Sequence, residues 1–113
     1  MTEVDLLINI KFKDHVFITP KRINLLRMIK QMGSLNAASK AISISYQNAW
    51  TVINEMNELA PNPIVIKQRG GNGGGGAEIS DYGNLILKEY SFIEQQIQEF
   101  TQKLNIELNL SVV

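Results

Sequence analysis

The sequence predicts a mainly α fold with small β-hairpins, on three observations. Thr19, Ser34, Ser45 and Ser80 each stand where a hydroxyl would cap a helix, and each precedes apolar residues at helical spacing. Short β-type runs with a turn between them lie before the first helical stretch and again before the last. The chain has 113 residues and 44% hydrophobic content, enough for one core and too little for two ordinary ones.

The first stretch, "VDLLINIKFKDHVFIT", alternates at Ile8, Ile10 and Phe12, then breaks at polar Lys13-Asp14-His15 before Val16-Phe17-Ile18. This is the pattern of a β-hairpin with the polar triplet as its turn. His15, the single histidine, falls in that turn and is given no catalytic or metal-binding role. Thr19 and Pro20 form a cap and first-turn proline, and Leu25, Ile23, Leu26, Ile29 and Met32 mark a helix over residues 20–32 that stops at Gly33.

Ser34 caps a second, shorter helix carrying Leu35, Ala37, Ala38 and Ala41. After a break at Ile42-Ser43-Ile44, Ser45 caps a third, "YQNAWTVINEMNELA", with Ala49, Trp50, Ile53 and Met56 on one side. Pro61 and Pro63 end it. Small side chains at Ala37, Ala38 and Ser39 suit close packing of the second helix on the third.

Next comes "IVIKQRGGNGGGGAEIS", in which six of the seven residues 70–76 are glycine. A phosphate-cradling P-loop closes with Gly-Lys-Ser/Thr at a helix start, whereas Gly76 is followed by Ala77-Glu78-Ile79, a strand-like run with an acid. The run is instead the loop of a hairpin. Ser80 then caps the final helix, "DYGNLILKEYSFIEQQIQEFTQKL", whose Ile86, Tyr90, Ile93, Ile97, Phe100 and Leu104 step by four and three alternately. That is a heptad seam, and it implies a partner helix, hence a homodimer. The tail, "NIELNLSVV", alternates like a strand and has no assigned place or role.

In order, these elements are those of a winged helix-turn-helix with a long C-terminal dimerisation helix. Residues 1–79 are expected to form the DNA-binding domain, with an N-terminal β-hairpin and a Gly-rich wing, and residues 80–113 the dimerisation helix and tail. In this motif the leading end of the recognition helix meets base edges in the major groove. That end is polar: Ser45, Tyr46, Gln47, Asn48 and Thr51. Gln and Asn pair bidentately with adenine, Ser is permissive, Thr offers a methyl to thymine, and Tyr46 reaches a phosphate or packs at the helix start. Trp50, on the face with Ile53, is assigned to the core. Glycines 71, 73 and 74 let the wing approach the duplex backbone closely, with Lys67 and Arg69 beside them supplying positive charge (Gly71, Gly73, Gly74).

Charge agrees with this division although the net is zero. Residues 11–70 carry nine basic and three acidic side chains, a surplus of six positive charges; residues 71–113 carry two basic and six acidic, a surplus of four negative ones. A basic body with an acidic tail can meet a polyanion with one end and face away with the other. There is no cysteine, so disulfides and Cys-ligated zinc are excluded, and no apolar run approaches the length of a membrane span. Glu3 and Asp5 stand where a signal peptide would be basic. A soluble, cytoplasmic protein without membrane association is expected.

The stretches "GSLNAASKAISISYQNAWTVINEMNEL", "GGNGGGG" and "SDYGNLIL" closely resemble the DNA-binding domain of the molybdate-responsive ModE regulators, a LysR-type winged helix. The resemblance covers about residues 17–103, with a leading hairpin in addition. It implies a dimeric transcriptional regulator that binds double-stranded DNA, and it implies that molybdate belongs to a separate C-terminal domain; two recognition helices in a dimer meet successive major grooves, so an inverted-repeat operator is expected. The nine residues after Leu104 hold one acid and no base, so no molybdate binding is expected of this chain, and no cofactor, metal or catalytic residue is assigned. Ser43, where such turns often have Gly, is the one local departure. A protein-interaction module on the same fold, without DNA, is the alternative. An enzyme is poorly supported by one turn histidine, no cysteine and no paired carboxylates.

Overall fold

The computed structural model describes residues 3–68 and 76–112, with side chains described as far as residue 105. Its elements are β1 (Ile10–Phe12), β2 (His15–Ile18), α1 (Pro20–Met32), α2 (Leu35–Ala41), α3 (Tyr46–Leu59), β3 (Val65–Lys67), β4 (Ala77–Ile79) and α4 (Asp81–Val112).

β1 and β2 pair antiparallel, with Phe12 opposite His15 and a bulge between Ile10 and Lys11. The turn is therefore the two residues Lys13-Asp14, both at positive φ (50° and 66°), the geometry that suits the twist of a two-residue hairpin. His15 is the first residue of β2, one place beyond the turn expected for it.

Local signals set the ends of α1. The Thr19 hydroxyl accepts from the Arg22 N–H at 3.1 Å, and Gly33 closes the helix in the left-handed region at φ 67°, its N–H bonding the Ile29 carbonyl at 2.8 Å. α2 is capped by Ser34 and buries Leu35, Ala38 and Ser39. Ala37, expected in the contact with α3, is exposed, because the seven-residue helix presents only one narrow face to the core. The turn into α3 places Ser43 at φ 60°, the conformation glycine takes most easily. The serine thus keeps the usual turn geometry at some steric cost.

The core gathers Phe17 and Ile18 of β2, Ile23, Leu25, Leu26 and Ile29 of α1, Leu35 and Ala38 of α2, Ala49, Ile53 and Met56 of α3, and Leu87 and Tyr90 of α4. Ile64, Val65, Ala77 and Ile79 close it from the second hairpin. In that hairpin Val65 faces Ile79, Ile66 faces Glu78 and Lys67 faces Ala77. An isolated bridge between Ser34 and Gly76 ties its second leg to the start of α2.

α4 continues through Val112, so the tail read as strand-like is helical backbone. A helix already formed adds one backbone bond per residue, while a strand would need a free edge to pair with. Near its start Gly83 allows a close approach: a Cβ there would lie 2.4 Å from the Ile64 carbonyl oxygen. The Ser80 hydroxyl donates to the Pro63 carbonyl at 2.6 Å and accepts from the Gly83 N–H at 2.9 Å, joining the base of the hairpin to the helix. Further along, the N-terminal residues run antiparallel to α4. The Tyr90 hydroxyl donates to the Ile8 carbonyl at 3.0 Å, and the Val4 N–H donates to the Asn105 side-chain oxygen at 2.6 Å.

Candidate nucleic-acid interface

α3 divides its side chains among three directions. Ala49, Ile53 and Met56 are buried. Ser45, Gln47, Asn48 and Thr51 are exposed around the leading turn. Tyr46, Trp50 and Asn57, spaced by four and seven, share a third flank, which meets the second hairpin through Trp50 and Asn57.

The leading end is built to stay helical while presenting polar groups. The Ser45 hydroxyl accepts from the Asn48 N–H at 3.0 Å as the helix cap, which uses one lone pair and leaves its O–H to donate. The Thr51 hydroxyl donates to the Gln47 carbonyl at 3.1 Å, which leaves its methyl as the distinctive group it can offer a ligand. Gln47 and Asn48 have no side-chain hydrogen bond to the rest of the described residues, so both amides are available for an external donor–acceptor pair.

The flank corrects one sequence expectation. Trp50 is half-buried: it packs against the core from its edge and is not one of its fully buried members. Tyr46, 37% exposed, meets the Trp50 ring edge-on at 6.3 Å between centroids. The Lys67 ammonium lies 5.2 Å from the Trp50 ring centroid. Amphipathic periodicity groups Trp50 with Ile53, but among the described residues the indole is only half covered, with Tyr46 and the Lys67 ammonium against it.

Asn57, which sequence reasoning passed over, fixes the hairpin to α3. Its side-chain oxygen accepts from the N–H groups of Ile64 (2.8 Å) and Val65 (3.3 Å), and its amide donates to the Val65 carbonyl (3.1 Å). The only sequence signal was an amide on a helix just before a Pro-rich turn, which is too common to single out. Arg69, Gly71, Gly73 and Gly74 lie outside the described residues, as does the rest of the expected wing tip. Glu78 puts an acid on the second leg, where its carboxylate accepts from the Gln68 amide at 2.5 Å.

Of the eight basic side chains among the described residues 11–68, Arg22 and Arg27 form ion pairs within the fold. Arg22 pairs with Glu55 at 2.6 Å and donates to the carbonyls of Val16 and Phe17, and Arg27 pairs with Glu94. Lys21, Lys40 and Lys67 are exposed.

On α4 the structure separates the expected seam into two parts. Tyr90 is 2% exposed, bonded to Ile8 and lying under the Arg27 guanidinium at 5.6 Å, so it belongs to the interior of its own chain and not to a surface for a partner. Burial, and secondarily the Glu94 carboxylate, push its hydroxyl pKa up; the Arg27 charge opposes them. Ile86, Ile93, Ile97 and Leu104 are half-buried and Phe100 is 54% exposed. Phe92 and Leu85, outside the predicted seam, are 62% and 49% exposed beside them.

Among the described residues no group of three or more His, Cys, Asp or Glu is placed to hold a metal ion, and no helix is long and apolar enough to cross a membrane.

No family model matches the chain. Curated relatives do. The chain is 37% identical over 95 residues to the transcriptional regulator ModE of Haemophilus influenzae, covering 84% of this chain and 37% of that one. It is 40% identical over 92 residues to the molybdenum transport protein ModE of Azotobacter vinelandii (81% and 34%), and 38% identical over 93 residues to the DNA-binding transcriptional dual regulator ModE of Escherichia coli K12 (82% and 36%). The chain therefore spans about a third of the length of these relatives, matching their N-terminal part.

Proposed function

By homology the chain belongs with the ModE transcriptional regulators, matching their N-terminal part, and from that premise we propose that it binds double-stranded DNA sequence-specifically as a homodimer and so regulates transcription. The observation that carries this reading is the leading end of α3: Gln47 and Asn48 exposed, with side-chain amides unengaged among the described residues, on a helix whose rear face is locked into the core and whose flank holds a hairpin. Such a helix lies in the major groove with its leading residues against base edges, and each amide can read adenine. Residues 1–79 carry the DNA contact and residues 80–113 the pairing of two chains. The Gly-rich run, with Lys67 and Arg69, is assigned to duplex phosphate, which leaves molybdate no role in the contact itself.

Dimerisation is supported by the uncovered apolar stripe of α4. Leu85, Phe92 and Phe100 are exposed next to half-buried Ile86, Ile93, Ile97 and Leu104, a continuous surface of the kind monomers avoid. Two recognition helices related by a twofold axis then meet successive major grooves of an inverted repeat.

Selection from random duplexes tests the reading. It should return an inverted repeat with half-sites about one helical turn, or a multiple of it, apart. Gln47→Ala and Asn48→Ala should each cost about 1–3 kcal/mol at particular base positions and little elsewhere. Recovery of no sequence preference, or equal loss on every duplex for both changes, contradicts it. An exposed polar helix end can also serve a protein partner, and duplex-independent capture of such a partner with no DNA affinity would favour that alternative.

A further inference from the structure

We propose that Trp50 is a positioning residue: its indole face holds the Lys67 side chain of β3 beside the recognition helix, poised for the DNA backbone. The proposal rests on the DNA-binding reading above and adds a residue and a physical role to it. Three observations combine. Asn57 pins the start of β3 to the C-terminal half of α3 through Ile64 and Val65. Trp50 lies seven residues, about two turns, nearer the leading end. Lys67 lies two residues beyond Val65 along β3, and its ammonium sits 5.2 Å from the indole centroid. Strand and helix thus meet at two places, amide hydrogen bonds from Asn57 at the base of the strand and the cation on the ring at its last residue. Tyr46 meets the same indole edge-on, so the stack continues to the first residue of α3.

The physical gain is preorganisation. A lysine has four rotatable side-chain bonds, and holding it against a surface before binding reduces the entropy lost when it meets phosphate. An exposed cation–π contact is weak, so the ammonium can turn to a phosphate oxygen while its methylene stem stays on the ring. Half-burial of Trp50 suits this role: packing against the core holds the ring, and its uncovered part offers a face to the lysine.

The test uses the whole chain, a selected duplex and four variants, Lys67→Met, Trp50→Leu, Trp50→Phe and the double change Trp50→Leu with Lys67→Met, with folding checked by circular dichroism. Lys67→Met should weaken binding to every duplex about three- to tenfold and lower the log–log salt slope by about 0.9. Trp50→Leu, which keeps an apolar side chain but no π face, should reproduce both effects, and the double variant should be no worse than either single one. Trp50→Phe should restore most of the affinity and slope. Additive losses in the double variant, or a normal salt slope in Trp50→Leu, overturn the proposal while leaving DNA binding intact; absence of duplex binding by the unaltered chain instead removes the underlying reading. Trp50 is the only tryptophan, so its fluorescence reports the contact without DNA. Lys67→Met should change that emission and Lys40→Met should not, and an unchanged spectrum in Lys67→Met contradicts the contact itself.

Discussion

Replacing Asn57 with Ala should unfasten the second hairpin from α3. The substitution removes one acceptor used by two N–H groups and one donor used by a carbonyl. Ile64 is 0% and Val65 3% exposed, so water has poor access to the groups left behind. An orphaned buried polar group costs about 1–3 kcal/mol, and the bond to Ile64 at 2.8 Å should count more than that to Val65 at 3.3 Å. A loss of about 3 kcal/mol is expected, which for a domain of this size lowers the Tm by roughly 10–15 °C. Urea unfolding followed by circular dichroism, at several protein concentrations so that dimer dissociation is separated from folding, gives the value. Asn57→Asp keeps an acceptor for both N–H groups and loses only the donor to Val65, so it should be the milder change. A stability for Asn57→Ala within about 0.5 kcal/mol of the parent, the range of an ordinary surface change, would refute the clamp.

Gly83→Ala adds a methyl 2.4 Å from the Ile64 carbonyl oxygen and 2.7 Å from the Ile79 Cγ2, and the obstacle is backbone. Overpacking of about 1–3 kcal/mol should outweigh the gain of up to about 1 kcal/mol in helix propensity, so chemical denaturation should show a net loss; a more stable variant would mean that α4 and the hairpin part easily. Phe92→Glu with Phe100→Glu, both on the exposed stripe, should leave the monomer fold intact and shift sedimentation toward monomer, with unchanged sedimentation counting against the stripe as the pairing surface. Tyr90 has its folded pKa raised above the ordinary value of 10.0, so the neutral phenol is favoured by folding. Its contribution is complete below pH 10.0 and lost as pH rises through the folded value above that. Tyr90→Phe should therefore show a shallower alkaline decline in stability than the parent, and identical slopes would argue against an interior phenol.

Nearly all of the secondary structure was legible because its signals are local. Thr19-Pro20 and Gly33 bound α1, Ser34 and Ser45 cap the next two helices, and each acts within a turn of its own position. The polar leading end of α3 was legible for the same reason, since exposure of Gln47, Asn48 and Thr51 follows from helical spacing against Ala49 and Ile53. Tertiary structure alone decided which groups those elements meet. Heptad arithmetic gives Tyr90 an angle on α4 but cannot know that residue 8, more than eighty positions away, accepts its hydroxyl proton. Periodicity put Trp50 on the inner face, yet only the packing of elements around α3 leaves it half-buried at the edge of the core with Lys67 against its ring. Asn57 had no distinctive signature, because a clamp is a relation between a side chain and a backbone that become neighbours only when the hairpin folds back. Spacing along a chain sets direction around one element's axis; what occupies that direction depends on contacts between elements, and those are set by the packing of the whole core.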